Sequence, residues 1–355
     1  MVKRTTVTAA AAALLLSAAM SAPAVADVKL VFSTHVGQNS ASQQQYEDYF
    51  RELKERTNGY VGLKDRFYSQ ALIKATEQLK GVGSGLADVG YFCTGYAPAL
   101  LPLTSMAELP YVTEKGDALS SAIAELYDSY PPLREEFHRQ NVELLAMDAS
   151  SATIIGVNKV VNSSAELEGM KVRAYGDLGA IAKANGLVPV PMSTADIYTS
   201  LQTGAIDGYF GIPLWMPAPE NWLEFTKTLI APGVGTYYTC GLAMNLDVYK
   251  ALPDNAKNAI AELRREFPAK SIEVVKKGDA ASVAKAEEMG VKFYRFTPAE
   301  VEQWKEKVDY PALVQEWIKT RSERTDADVA AFVKLFQSTL AKIEPASTYK
   351  QEFPE

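Results

Sequence analysis

The sequence predicts an α/β fold of two domains, and three observations carry that reading. Short runs rich in β-branched and aromatic residues alternate with longer polar helical stretches, which implies parallel sheets with helices on both faces. Apolar residues make up 47% of the chain, enough for a sizeable core. The length beyond residue 26 suits two domains of ordinary size.

The first residues read as a targeting segment. Lys3 and Arg4 form a basic start, Ala9 to Ala19 is an apolar run, and Ala24-Val25-Ala26 precedes Asp27 as an A-x-A cleavage site. The apolar run is too short to span a bilayer. A cleaved secretory signal over 1–26 and an exported chain are therefore expected.

Val28 to Ser33 predicts the first strand, followed by the polar loop 34–40 and a helix over about Ala41 to Thr57, stopped by Asn58-Gly59. Tyr60 to Phe67 reads as a strand, Leu72 to Gly81 as a helix, and Ala87 to Phe92 as a third strand. The pattern then gives a helix over Asp117 to Tyr130, a strand over Val142 to Met147 and another over Ala152 to Asn158. From Leu167 to Gly208 a β-α-β-α-β pattern begins a second unit and places Arg173 at the carboxyl end of a strand. Ligands bind at that end in open α/β sheets. Val234 to Asn245 reads as a long strand returning to the first unit. Helical patterns follow over Asp254 to Phe267, Lys270 to Met289, Thr297 to about Thr320 and Asp326 to Lys342. Thr297-Pro298-Ala299-Glu300 is a capping box.

Arg173 is the leading candidate for a ligand contact. A guanidinium at a strand end, after the apolar Val172 and before small and aromatic residues, can hold a carboxylate or sulfonate by a charge-assisted fork. The alternative is a structural or solvated arginine. His35 lies in a loop at the same edge, as a ligand donor or a merely polar residue. Tyr68, Phe92, Cys93 and Thr94 occupy equivalent strand ends, where an aromatic is either core or site. Trp215, held between Pro213 and Pro217, is either a stacking platform or an interdomain core residue. Cys93 and Cys240 are either paired, as an oxidising compartment allows, or two small buried hydrophobes.

Several classes are excluded or disfavoured. The net charge is −7, and loss of Lys3 and Arg4 makes it more negative still, so no basic footprint for nucleic acid exists. His35 and His138 are the two histidines, with no triad or metal spacing around them. No G-x-S-x-G elbow is present. The chain is not expected to be an enzyme or to carry a cofactor.

An ordered set of segments carries a family resemblance: Glu77 to Asp88, Glu108-Leu109-Pro110-Tyr111, Leu167-Glu168-Gly169-Met170-Lys171-Val172-Arg173, Pro189-Val190-Pro191-Met192, Ile197 to Gly208, and Tyr249 to Pro253. The chain beyond the signal resembles the extracytoplasmic solute-binding subunits of TRAP transporters, the DctP-like family. The resemblance implies a two-lobed periplasmic clamshell. Each lobe would be a mainly parallel sheet flanked by helices, with hinge strands and a long helix spanning both. Lobe I is expected at 27–150 plus about 239–278, and lobe II at 151–238 plus about 279–355. The resemblance further implies delivery of a small organic acid to a membrane permease without ATP; the chain itself is expected to be a monomer. Arg173 would anchor the ligand carboxylate.

Two departures stand out. The position of a second family arginine falls in Ala152-Thr153-Ile154-Ile155, and the place of an asparagine before Pro213 holds Ile212. Trp215, Tyr237, Tyr238, Phe92 and Tyr175 make the pocket more aromatic. The expected ligand is a monoanion with an apolar or aromatic body, or a small sulfonate, more than a sugar acid. Presentation to a sensory receptor is the alternative destination.

Overall fold

The structure is a computed structural model that describes residues 27–38 and 40–354. The expected signal peptide, 1–26, lies outside the described residues. Among them, eleven strands form two sheets: β1 (Val28–Ser33), β2 (Val61–Phe67), β3 (Val89–Cys93), β4 (Val142–Met147), β5 (Thr153–Val157), β6 (Lys171–Arg173), β7 (Val188–Val190), β8 (Gly208–Pro213), β9 (Thr228–Ala231), β10 (Cys240–Asn245) and β11 (Lys292–Arg295). The helices are α1 (Ala41–Arg56), α2 (Gln78–Gly83), α3 (Gly116–Ser129), α4 (Pro131–His138), α5 (Gly176–Ala184), α6 (Ile197–Gln202), α7 (Leu246–Ala251), α8 (Asp254–Glu288), α9 (Pro298–Val308), α10 (Tyr310–Ser322) and α11 (Val329–Ile343).

The first sheet has strand order β2-β1-β3-β10-β4 and the second β11-β9-β5-β8-β6-β7. Each is mainly parallel with one reversed strand. β10 runs antiparallel between β3 and β4, and β5 runs antiparallel between β9 and β8. Those two strands are the ones that follow a crossing between lobes. The chain leaves the first sheet after β4, crosses at 148–152 and enters the second as β5. It leaves after β9, crosses at 232–239 and returns as β10. The crossings are tied together where Thr153 N donates to Gly235 O at 2.9 Å and Asp148 N donates to Cys240 O at 3.0 Å.

β10 brings Cys240 directly opposite Cys93 in register, and the two form a disulfide. Of the two readings left open by the sequence, the paired one holds. The antiparallel register supplies the proximity that sequence separation hid.

α8 is one helix of 35 residues, where the sequence suggested two stretches around Pro268. It packs on α1, α3 and β4 in the first lobe. Its last turns reach the second lobe, where Ala286 and the following Val291 share a core with Leu229 of β9. The expected capping box forms, with Thr297 Oγ1 accepting from Glu300 N and Glu300 Oε2 accepting from Thr297 N. The helix it starts stops short of Thr320. Asp309 takes a left-handed conformation (φ +50°), and its side chain caps α10 by accepting from Ala312 N at 3.2 Å, with Pro311 in the first turn. α11 also departs from the expected division of the chain. Its Phe332, Val333 and Phe336 join Leu119, Ala122 and Phe137 in the first-lobe core, because the apolar face of this amphipathic helix covers α3.

Candidate functional site

β6 is three residues long and ends in Arg173, which is fully buried at 0% exposure. Its neighbour β8 carries a bulge there. Ile154 pairs with Ile212 and Ile155 with Phe210, so Gly211 has no partner across the ladder, and its φ is +81°. In a regular strand successive carbonyls point opposite ways. The bulge turns two of them to one side, and Arg173 Nη1 donates to both Phe210 O and Gly211 O, each at 3.3 Å. Arg173 Nε donates to Met192 O at 3.1 Å. The guanidinium carbon lies 4.3 Å from the centre of the Tyr175 ring, a cation–π contact. Among the described residues Nη2 has no hydrogen-bond partner. Every direct contact of this buried cation is therefore neutral.

Glu108 faces this group from the first lobe. Its Oε1 accepts from Thr94 Oγ1 at 2.8 Å and from Thr239 N at 3.1 Å. Burial pushes its carboxyl up to about 8, opposed by those donors and by the Arg173 charge. Tyr237, on the second crossing, donates its hydroxyl to Tyr175 O at 3.3 Å.

An aromatic run continues from Arg173 into the first lobe. Tyr96 lies 5.5 Å from Tyr175 and 5.6 Å from His35, centre to centre. His35 stacks on Tyr91 at 5.0 Å, and its Nε2 is 3.4 Å from the Tyr238 hydroxyl. Burial lowers the His35 pKa to about 4, so the ring is neutral. Trp215 meets Tyr238 edge to face at 6.3 Å. His35 Nδ1 and Trp215 Nε1 are buried without hydrogen-bond partners among the described residues. Beneath them Asp148 accepts from Tyr46 at 2.8 Å and Tyr91 at 3.2 Å, and burial pushes it up to about 7.

The fold thus brings six of the expected residues into one run: Arg173, Tyr175 and Tyr237 directly, and His35, Tyr238 and Trp215 through Tyr96. Two expected residues lie elsewhere. Phe92 follows Tyr91 on β3 and so points to the opposite face, where it packs on Phe137 at 5.7 Å in the first-lobe core. Tyr68 is half-buried past the end of β2, in the field of Glu47 and Arg66. Three residues of the run were not singled out from sequence: Tyr91, Tyr96 and Glu108. The signal for Glu108 was its place in the Glu-Leu-Pro-Tyr segment. Among the described residues, no group of His, Cys, Asp and Glu could hold a metal ion.

Residues 32–320 match the family described as bacterial extracellular solute-binding protein, family 7. The C4-dicarboxylate-binding periplasmic protein DctP of Rhodobacter capsulatus is 24% identical over 296 residues, 82% of this chain and 87% of that protein. A TRAP periplasmic solute binding protein from Desulfovibrio salexigens is 25% identical, with a TM-score of 0.77 over 92% of this chain and 98% of that one. A TRAP solute binding protein from Rhodoferax ferrireducens, in complex with copurified benzoate, is 22% identical, with a TM-score of 0.80 over 90% of this chain and 100% of that one. No helix among the described residues is long and apolar enough to cross a membrane. With its family match spanning most of the sequence and its two crossed sheets shared with those structures, this chain belongs to the bacterial extracellular solute-binding proteins of family 7.

Proposed function

We propose that this protein captures a small organic acid anion between its lobes and delivers it to a TRAP-type secondary transporter, with Arg173 holding the carboxylate. One observation carries the reading. Arg173 is wholly buried, its contacts are backbone carbonyls and a ring face, and Nη2 has no hydrogen-bond partner among the described residues. A buried cation is costly unless paired, and a ligand carboxylate supplies the missing charge where the low dielectric strengthens it. The aromatic run from Tyr175 through Tyr96 to His35 and Trp215 suits an apolar or aromatic ligand body. The stretch where a second anchoring cation would stand is buried in β5 as Thr153, Ile154 and Ile155, which favours one negative charge over two. The benzoate carried by the Rhodoferax ferrireducens protein supports this class. Export by the 1–26 segment, with cleavage after Ala26, places the protein where such a transporter can meet it.

A thermal-shift screen across monocarboxylates, dicarboxylates, aromatic acids and sulfonates tests the reading, since a bound ligand raises the melting temperature by mass action. Aromatic or apolar monocarboxylates should give the largest shifts. A preference for dicarboxylates, or no shift with any acid, counts against it.

A further inference from the structure

We infer that the C-terminal segment, residues 347–353, is a strap that holds the two lobes at their closed angle from a place remote from Arg173. The lobes stand closed on each other: Tyr96 of the first accepts from Thr194 N of the second at 3.2 Å, and Arg173 at the cleft is fully buried. The segment leaves α11, which belongs to the first-lobe core, and runs on without joining either sheet. Tyr349, Gln351 and Phe353 are buried while Lys350 and Glu352 are exposed, the period of two of an extended chain with one face down. Side chains, not a strand ladder, hold it there.

Those side chains grip different parts of the hinge. At the first-lobe end Ser347 Oγ donates to Asp117 of α3 at 2.5 Å, and Lys115 Nζ donates to Glu344 O at 3.2 Å. In the middle, the strap takes both backbone groups of Ala152 on the first crossing. The Tyr349 hydroxyl accepts from Ala152 N at 3.3 Å, and Gln351 Nε2 donates to Ala152 O at 2.7 Å. The same hydroxyl donates to Asp279 of α8 at 2.9 Å, and Asp279 accepts from Ser151, the preceding residue of the crossing, at 2.6 Å. At the second-lobe end Phe353 meets Phe293 of β11 edge to face at 5.3 Å. Arg295 lies 5.6 Å from the Phe353 ring centre and donates to Gln351 O at 3.4 Å.

One short stretch thus joins the first lobe, a crossing, the helix that spans the lobes and the second lobe. It does so far from the anion site, since β9, β5 and β8 separate β11 from β6 and Arg173. Beneath the segment a groove of about 1030 Å³ lies between Lys115 of the first lobe and Tyr294 and Arg295 of the second. The lobes are bridged here instead of packed flat, which leaves their angle free to change. With its ends on different lobes and its middle on the crossing between them, the strap loses one set of contacts when that angle changes. Contacts made only in the closed arrangement shift the population toward it.

Pulsed dipolar distances in the full mature chain, without ligand, test this. Spin labels go on Lys74→Cys and Ala195→Cys, exposed positions past the carboxyl ends of β2 and β7, the edge strands furthest from β4 and β11. Cys93 and Cys240 are paired and take no label. Ending the chain at Ala346 should shift the distribution to longer distances, by more than about 2 Å at its mean. Phe353→Ala, which loosens only the second-lobe end, should shift it the same way, and Tyr349→Phe, which loses only a hydroxyl, by less. If the shortened chain does not fold, the two point variants decide. Distributions that coincide with the wild type in both, with or without a lower melting temperature, make the segment packing alone and overturn the inference. A shift to shorter distances overturns it as well. No ligand enters the measurement, so a failure of the anion reading in the thermal-shift screen and a failure here are separate results.

Discussion

Arg173 in the second lobe and Arg264 on α8 are both buried, at 0% and 3% exposure, and each guanidinium carbon stands 4.3 Å from a tyrosine ring centre, Tyr175 and Tyr127. Their counter-charges differ. Arg264 Nη2 lies 3.3 Å from Glu143 and Nη1 3.5 Å from Asp128. Arg173 meets three backbone carbonyls and no carboxylate within ion-pair reach among the described residues. The first arrangement is complete without a ligand and ties α8 to α3 and β4. The second holds a charge in place and leaves its neutralisation to something that comes and goes. Burial and aromatic stacking alone do not separate a binding arginine from a structural one. The charge of the direct partners does.

The sharpest way to break this comparison is to truncate both residues. Arg264→Ala leaves the buried Glu143 with His138 as its side-chain partner, while Asp128 keeps Arg265, and should destabilise the ligand-free protein by roughly 3 kcal/mol in urea unfolding. The protein that remains folded should still bind its acid. Arg173→Ala should do the reverse, abolishing the calorimetric binding signal while costing the ligand-free protein clearly less stability than Arg264→Ala, since it leaves carbonyls without their donor but strands no counter-charge. If both variants lose stability alike, the distinction fails.

A smaller effect is expected of Arg173→Lys. The charge stays, but the planar fork and the stacking on Tyr175 go, and affinity should fall by about ten- to a hundredfold, short of complete loss. Wild-type affinity in the lysine variant would show that charge alone suffices.

The pH dependence of stability sharpens the contrast from the acidic side. Burial pushes Glu108 up to about 8, and Glu136, Asp148 and Asp279 each up to about 7. Between their ordinary values and these, the folded chain binds protons that the unfolded chain releases. Stability is therefore fully present at low pH in this window and falls as pH rises from about 5 to 8. Urea midpoints of the ligand-free protein should show that fall. In Glu108→Gln the part between 7 and 8 should flatten. A midpoint that climbs across this range would contradict the assignment.

The smallest effect expected is that of Tyr68→Phe. With Tyr68 outside the run of site residues, affinity should stay within about twofold and stability within about 0.5 kcal/mol. A clear loss of affinity would draw Tyr68 back into the site.

What the sequence made legible was local. The strand ending in Arg173, the returning strand near residue 240 and the capping box at Thr297 each rest on a few consecutive residues, and each is found. What it hid was pairing. Phe92 and Tyr91 are adjacent aromatics on one strand, and which faces the site depends on the parity of the strand against a sheet still to be assembled. The bulge at Gly211 exists only against β5. Glu108 comes to Arg173 because a 3-10 turn at Thr104–Glu108 packs against the second crossing, a contact without any sequence period. The disulfide was undecidable for the same reason, since 147 residues separate its halves.

The crossed strands also set an order of events for a chain that emerges amino end first. β10 sits between β3 and β4 yet follows the whole of 151–238 in sequence. The first four strands can be synthesised and exported long before the one that joins β3 to β4 arrives, so both keep unpaired edges until residue 245 is out. The first sheet is therefore not built from one continuous stretch of chain, and pairings this distant in sequence form slowly. Cys93 waits through the same interval. Its pairing with Cys240, the two thiols giving up their electrons to an oxidant of the exported compartment, therefore marks the moment at which the first sheet closes, and any earlier partner for Cys93 would have to come from another molecule and would trap the sheet unfinished.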